Sequence, residues 1–343
     1  MKQKGISIFI NSMFAVAIVV ILILGSRFKS EDKSKDVQSY NFLIMEKDSE
    51  ISALYSDGEK IYVGTNEGIH IYDAASLELL DTIDNIRMIY TASIVSDGEG
   101  GIFVGHEDGL THIDADYKQT HFKAPQIPEG RVNTVAMRDK ILYCGTYNGA
   151  AVLTKESGQW TVQKVLGKKD GLYSDSVNVI LPVESGIFFG SYLDTQGGLT
   201  YVDNDGNITY YNAENGLVHP YVTSMIEDSL GYIWVGTGYM RDGGLFNLKK
   251  EGNTYVIGDT YTKADGIPGE KVRFLFMDDE SFWITTEYDG VLVKKQNSSE
   301  CIYLNQKMGL SDNEIKCIIK VNDYYLLGGK YGLTVIPKSF FNW

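Results

Sequence analysis

One short pattern occurs seven times along this chain, and it constrains the fold more than any other feature. The pattern is a hydrophobic strand of three residues that ends in glycine, with threonine in place of glycine in the sixth copy. The strand ends lie at Gly64, Gly105, Gly145, Gly190, Gly236, Thr285 and Gly328. The steps between them are 41, 40, 45, 46, 49 and 43 residues. A period of about 40 to 50 residues is typical of the four-stranded blades of a β-propeller.

The residues around this strand repeat as well. In each copy a strand rich in β-branched residues begins ten or eleven positions earlier. These first strands are predicted to start at Ile51, Thr91, Val132, Val177, Val222, Val272 and Ile315. A glycine-ended loop then leads to a third strand, and six copies have a fourth. A spare strand at residues 39–45 precedes the first copy. We therefore predict an all-β, seven-bladed propeller over residues 39–343, in which that spare strand completes the last blade and closes the ring.

The N-terminal segment differs from the repeats. Residues 6–24 are almost entirely apolar, and as a helix they would reach roughly 28 Å, close to the thickness of a hydrocarbon core. We predict a short cytoplasmic tail, an uncleaved transmembrane signal anchor and a linker at residues 1–4, 5–26 and 27–38. A cleaved signal peptide is the alternative, and both export the propeller. The basic residues after the apolar run, such as Arg27 and Lys29, argue against an exported C-terminus. A lone N-terminal segment ahead of a large domain nevertheless favours a single-pass protein with an extracytoplasmic propeller.

Charge and cysteine content exclude several kinds of partner. Residues 31–343 contain 27 basic and 45 acidic residues, a net charge of −18. Such a surface repels nucleic acid and anionic lipid headgroups. The three cysteines are odd in number and lack metal-ligand spacing, so we expect small hydrophobic side chains on strands and no cofactor. They are Cys144, Cys301 and Cys317.

Residues 216–237 read GLVHPYVTSMIEDSLGYIWVGT. This segment resembles the two-component regulator propeller repeat, and similar starts occur at Gly171, Gly266 and Gly309. The resemblance covers about residues 40–343 and implies the extracytoplasmic sensor of a membrane receptor. In that family a second membrane span usually leads to a kinase or a diguanylate cyclase. None follows Trp343 in this sequence, so we expect a recognition module that works with a separate membrane signalling protein.

A candidate ligand site follows from loop lengths. Loops between second and third strands share the mouth of the channel with the connections between blades. These loops span four residues from Gly to Gly in blades one, two, three and seven, and eight in blades four and five. The predicted ligand-binding residues are Tyr192, Asp194, His219, Tyr221, Tyr239, Arg241, Glu287, Tyr288 and Asp289. Aromatic rings beside carboxylates and an arginine suit a glycan or a peptide. With 23 tyrosines in the chain, some would also lie in loops by chance.

Other motifs favour structural roles. Residues 203–207 weakly resemble a calcium loop, but a polar hairpin turn is the preferred interpretation. The five histidines lack metal-ligand spacing; we place His70, His112 and His121 on strands and His106 and His219 in loops. Trp234 and Trp283 occupy the same second-strand position, which predicts packing between blades.

The function predicted from the sequence is a non-catalytic binding or sensing module held at a membrane. An enzyme of lyase, lactonase or glycosidase type is one alternative, with Asp194, Glu287 and Asp289 as its candidate acids. A scaffold subunit of a cell-envelope complex is another.

Overall fold

The computed structural model describes residues 39–90, 92–252 and 254–343. Within these ranges, 28 strands form seven antiparallel sheets of four strands each. The predicted tail, anchor and linker lie outside the described residues. No helix in the described ranges is long and apolar enough to cross a membrane.

Six blades follow one another along the chain, each with its strands in sequence order from the channel outwards. Blade one comprises β2 (Ile51–Ser56), β3 (Lys60–Thr65), β4 (Ile69–Asp73) and β5 (Leu79–Ile83). Blade two comprises β6 (Ser93–Ser96), β7 (Ile102–His106), β8 (Gly109–Ile113) and β9 (Gln119–Phe122). Blade three comprises β10 (Val132–Arg138), β11 (Ile141–Thr146), β12 (Gly149–Glu156) and β13 (Gln159–Leu166).

The longer loops lie in the second half of the ring. Blade four comprises β14 (Val177–Val183), β15 (Gly186–Ser191), β16 (Leu199–Asp203) and β17 (Ile208–Tyr211). Blade five comprises β18 (Val222–Glu227), β19 (Ile233–Tyr239), β20 (Asp242–Glu251) and β21 (Thr254–Tyr261). Blade six comprises β22 (Val272–Met277), β23 (Ser281–Thr286), β24 (Val291–Lys295) and β25 (Cys301–Leu304).

Blade seven is built from both ends of the described chain. It comprises β26 (Ile315–Val321), β27 (Tyr324–Gly329), β28 (Gly332–Pro337) and, outermost, β1 (Leu43–Met45). Strand β1 is antiparallel to β28, with Leu43 opposite Val335 and Met45 opposite Leu333. The predicted closure is confirmed, although the strand is shorter than residues 39–45. Before it, the backbone N–H of Tyr40 donates instead to the carbonyl of Met308 (2.9 Å).

The recurring second-strand glycine is explained by contact between blades. Each first strand contacts the first strands of both neighbouring blades, which closes the ring. A Cβ atom at Gly145 would lie 2.6 Å from Cγ1 of Val177, and one at Gly236 would lie 2.6 Å from Cγ1 of Val272. Real Cβ contacts are never so short, so the glycine makes room for the β-branched residue that starts the next blade. Thr285 replaces this glycine in blade six, and its hydroxyl donates to the carbonyl of Ile315 (2.8 Å).

The Gly-Leu starts of the repeat also have a local cause. The connections into blades four to seven each contain a short 3-10 helix. These helices are Lys168–Asp170, Ala213–Asn215, Lys263–Asp265 and Gln306–Met308. A glycine with φ between 102° and 114° ends each of them, a conformation that favours glycine. The aliphatic residue that follows is buried in all four, as Leu217 illustrates.

Packing between blades confirms the predicted role of the two tryptophans. Trp234 lies 5.1 Å from the ring of Phe282 in blade six, and Trp283 lies 4.7 Å from the ring of Tyr325 in blade seven. Cys144 and Cys317 are buried as expected, whereas Cys301 is only half-buried.

Two predictions about local structure were wrong in detail, and a third is confirmed. His106 is the last residue of β7 and not a loop residue, because the ladder of that hairpin continues to the pair His106 and Gly109. The first strand of blade two begins at Ser93, two positions after the predicted Thr91, which lies outside the described residues. Residues 203–207 form the predicted hairpin turn, in which the N–H of Asn207 donates to Oδ1 of Asp203 (2.8 Å).

Candidate functional site

The mouth of the channel is the face where second strands connect to third strands and where one blade leads to the next. In blade five the structure corrects the predicted loop. Strands β19 and β20 continue past the other blades' hairpins, with Gly238 opposite Gly243 and Tyr239 opposite Asp242. Backbone pairing therefore extends to a two-residue turn, and the result is a raised hairpin. Gly238 and Gly243 adopt φ of 139° and 143°, which only glycine does readily.

Four of the predicted residues form one aromatic group, called the tyrosine cluster from here on. Its members are Tyr192 of blade four, Tyr239 of the raised hairpin, and His219 and Tyr221 of the connection between them. Tyr221 lies 5.1 Å from Tyr192, 5.0 Å from His219 and 5.5 Å from Tyr239, measured between ring centroids. Such offset and edge contacts stabilise aromatic pairs. Because Tyr239 is still 41% exposed, the cluster retains surface for a ligand.

The protonation of His219 follows from its contacts. Its Nδ1 accepts the backbone N–H of Tyr221 (3.1 Å). Burial lowers the pKa of His219, although the charge of Asp242 acts in the opposite direction. The ring is therefore neutral near pH 7 and carries its proton on Nε2, which makes that nitrogen a donor.

Lys271 holds Tyr192 in place, and no sequence pattern pointed to this lysine. Its side chain is buried (7% exposed), and its Nζ donates to the hydroxyl of Tyr192 (3.1 Å) and forms an ion pair with Glu287. Burial lowers the pKa of Lys271, and Glu287 offsets part of that effect. Burial also raises the pKa of Tyr192 to about 12. Since the hydroxyl of Tyr192 accepts from lysine, its own proton is free to donate elsewhere.

Arg241 and Tyr288 form a second group beside the cluster. The guanidinium carbon of Arg241 lies 4.9 Å from the centroid of the Tyr288 ring, within cation–π range. Burial raises the pKa of Tyr288, and its hydrogen bond to Glu287 acts in the same direction. Glu287 thus connects Tyr288 to Lys271.

The remaining two predicted carboxylates lie apart from these contacts. Asp194 accepts from the hydroxyl of Ser174 (2.7 Å) and pairs with Lys168 (3.4 Å). The Ser174 hydroxyl is the main reason that the pKa of Asp194 is lowered. Asp289 takes part through its backbone carbonyl, which accepts the hydroxyl of Tyr303. The binding role of all nine residues stays a prediction.

A network of charged side chains lies next to the tyrosine cluster, where blades six, seven and one meet. It was not predicted from the sequence. Arg273 of blade six pairs with Glu314 before blade seven (3.2 Å), and Lys316 of blade seven pairs with Glu50 before blade one (2.6 Å). Glu50 accepts the backbone N–H of Tyr90 as well (3.0 Å). These side chains flank the first buried residue of an innermost strand. The recurrence of charged residues beside the first buried residue of a first strand is the sequence signal that could have revealed the network.

In blades three to five, the second of these two flanking positions is neutral. There the residue after the first buried position donates to the backbone of the next blade: Asn133 to the carbonyl of Val177 (3.1 Å), and Asn178 to that of Val222 (2.9 Å). This strand position therefore links blades three to four, four to five and five to six through neutral donors, whereas charged pairs link blade six to seven and blade seven to one. No group of three or more potential metal ligands occurs in the described ranges.

Comparison with known proteins supports the fold and the repeat. A family model described as two component regulator propeller matches residues 216–239. No curated protein matches this chain. Among solved structures, the extracellular domain of a protein assigned as a hybrid two component system from B. thetaiotaomicron superposes with a TM-score of 0.72 at 16% identity. That match covers 90% of this chain and 41% of the other.

Two further structures show the range of functions on this fold. One is the extracellular domain of a protein assigned as a one component system, also from B. thetaiotaomicron, with a TM-score of 0.65, 20% identity, and coverage of 87% of this chain and 40% of that one. The other is virginiamycin B lyase from Staphylococcus aureus, with a TM-score of 0.62, 10% identity, and coverage of 87% and 97%. The chain thus spans about two fifths of the two extracellular domains. At these identities the likeness establishes the fold alone. This chain is a seven-bladed β-propeller that contains a repeat of the two component regulator propeller family.

Proposed function

We propose that this chain is an extracytoplasmic, non-catalytic binding propeller of the sensor type, which holds a glycan or a peptide at the mouth of its channel. The observation that carries this proposal is the set of contacts from Tyr239 through Tyr221 and Tyr192 to Lys271. It joins blades four, five and six into one partly exposed surface. A buried lysine that positions a partly exposed aromatic group is not needed to hold the blades together, which favours a role in binding. Such an arrangement suits recognition by stacking and directed hydrogen bonds.

Attachment to a membrane through residues 5–26, and signalling through a separate membrane protein, belong to the same proposal. The direction in which β1 runs supports one orientation of the propeller relative to the membrane. Strand β28 starts at Gly332 on the mouth side, and β1 runs antiparallel to it, so the chain enters β1 from the opposite face. An anchored propeller would then present its mouth away from the membrane, open to ligands from outside.

The enzymatic alternative receives less support from the contacts. The lowered pKa of Asp194 is the opposite of what a general acid needs at neutral pH. Glu287 is engaged by Lys271, and the resemblance to a lyase extends only to the fold.

Binding of the purified full chain to an array of glycans and peptides tests the proposal. For any ligand found, the triple variant Tyr192→Ala, Tyr239→Ala, Arg241→Ala should weaken binding at least a hundredfold, since stacking surface and a charged donor are both removed. The matched control is Tyr117→Ala, Lys118→Ala, Leu230→Ala, which alters exposed residues in turns of the opposite face. An unchanged Kd in the first variant, with both variants folded, would exclude the mouth as the site.

A further inference from the structure

The position of Arg241 indicates the chemistry of the ligand. It sits at the tip of the raised hairpin, next to Asp242 and beside the blade-six loop that carries Glu287 and Asp289. In the described part of the chain it pairs with none of these three carboxylates and lies over the ring of Tyr288 instead. On a chain with 45 acidic and 31 basic residues, an arginine without a carboxylate partner beside three of them needs an explanation.

The side chains that support Arg241 are partly buried, with Glu287 18% exposed and Lys271 7% exposed. Lys271 fixes Glu287, Glu287 accepts from the hydroxyl of Tyr288, and the Tyr288 ring carries the guanidinium. Pairing with Lys271 and Tyr288 occupies Glu287, so this carboxylate is not available to Arg241. Stacking on a ring uses the face of a guanidinium and leaves its N–H groups, at the edge, free to donate.

We propose, on the basis of the binding function above, that Arg241 binds a carboxylate of the ligand and that the ligand is an acidic sugar, one whose ring carries a carboxylate. The planar guanidinium matches a carboxylate with two parallel hydrogen bonds. The tyrosine cluster offers ring faces for the sugar, and the hydroxyl of Tyr192 and Nε2 of His219 can donate to its oxygens. Asp242 and Asp289 accept from sugar hydroxyls.

Two observations favour a singly charged sugar over other anionic ligands. The net charge of the chain is −14, which opposes a highly charged anion such as a phosphate dianion more than a single carboxylate. An extended peptide commonly binds by pairing with a free sheet edge. In this ring those edges are the outer strands such as β17 and β21, away from the mouth.

The test compares matched sugars on the full chain: oligosaccharides ending in glucuronate, the same oligosaccharides ending in glucose, and glucose-ended ones carrying a sulfate ester. We expect the glucuronate series to bind at least tenfold more tightly than the glucose series. Arg241→Met should remove this preference, so that glucuronate-ended and glucose-ended sugars bind the variant with equal Kd. Arg241→Lys should restore only part of it, because lysine keeps the charge but not the fork.

The variant Tyr288→Phe tests whether the Tyr288 hydroxyl helps to position Arg241. It keeps the ring but removes the hydroxyl that donates to Glu287, so we expect a smaller loss of the acidic preference and an unchanged melting temperature. Equal binding of glucuronate-ended and glucose-ended sugars at a mouth still sensitive to the triple variant would overturn this inference and leave the binding function standing. Preference for the sulfate ester or for peptides would overturn the carboxylate assignment, and binding of nothing on the array would overturn both.

Discussion

Deletion of residues 39–47 is expected to abolish the cooperative unfolding transition of the propeller. The deletion removes β1 and leaves β28 as an exposed edge. It also removes Tyr40 and Phe42, whose rings lie 4.7 and 5.2 Å from that of Phe340. Both rings are partly buried against the core between blades six and seven, and truncation of a fully buried aromatic residue costs about 3–5 kcal/mol. Their loss together with the unpaired edge of β28 therefore removes a large part of the about 5–15 kcal/mol that stabilises a typical domain. Thermal unfolding followed by circular dichroism measures the effect.

Two further variants distinguish the loss of pairing between β1 and β28 from the mere removal of side chains. Leu43→Ala changes a side chain of the same strand that is 53% exposed, and should leave the melting temperature nearly unchanged. Appending residues 39–47 after Trp343 through a flexible linker, in the deletion variant, should restore the transition, because the strand can again pair with β28. A deletion variant that melts like the intact protein would show that β1 does not close the ring.

Lys316→Met is expected to destabilise the protein by about 3–5 kcal/mol, a fall in Tm on the order of 10 °C. The Lys316 side chain is only 6% exposed, and its loss leaves the carboxylates of Glu50 and Glu314 without their shared cation. Lys164→Met, at an exposed position of β13, is the matched control and should change stability by less than about 0.5 kcal/mol.

The effect of this substitution should also depend on pH. Burial alone would raise the pKa of Glu50, but the hydrogen bond and charge of Lys316 outweigh it, so the pKa lies below its ordinary value of 4.5. A lowered carboxyl pKa stabilises the folded state above the ordinary value, and this contribution is lost as the pH falls below it. The difference in Tm between the variant and the intact protein should therefore narrow in acid. A difference independent of pH would mean that the network does not act through charge.

The repeat predicted much of the fold because each copy encodes the same local contacts. The second-strand glycine, the first-strand β-branched residue and the Gly-Leu start each have a partner in the adjacent blade. The sequence therefore predicted seven blades and the closing strand. It did not predict the raised hairpin, because a long interval between Gly236 and Gly244 does not distinguish an open loop from continued pairing.

The site was only partly predictable for a related reason. Tyr192, Tyr221 and Tyr239 are conspicuous in loops, but Lys271 looks like an ordinary charged residue before a strand. Its importance depends on Tyr192, 79 positions away. Lys316 and Glu50 are 266 positions apart and meet only because the ring closes.

Hydrogen exchange of the full chain, with and without a sugar found on the array, tests the central claim most directly. Binding at the mouth should slow exchange of the backbone amides in residues 192–198, 219–221 and 239–242. It should leave turns of the opposite face, such as residues 203–207, unchanged. Protection confined to those opposite turns would contradict a binding site at the mouth.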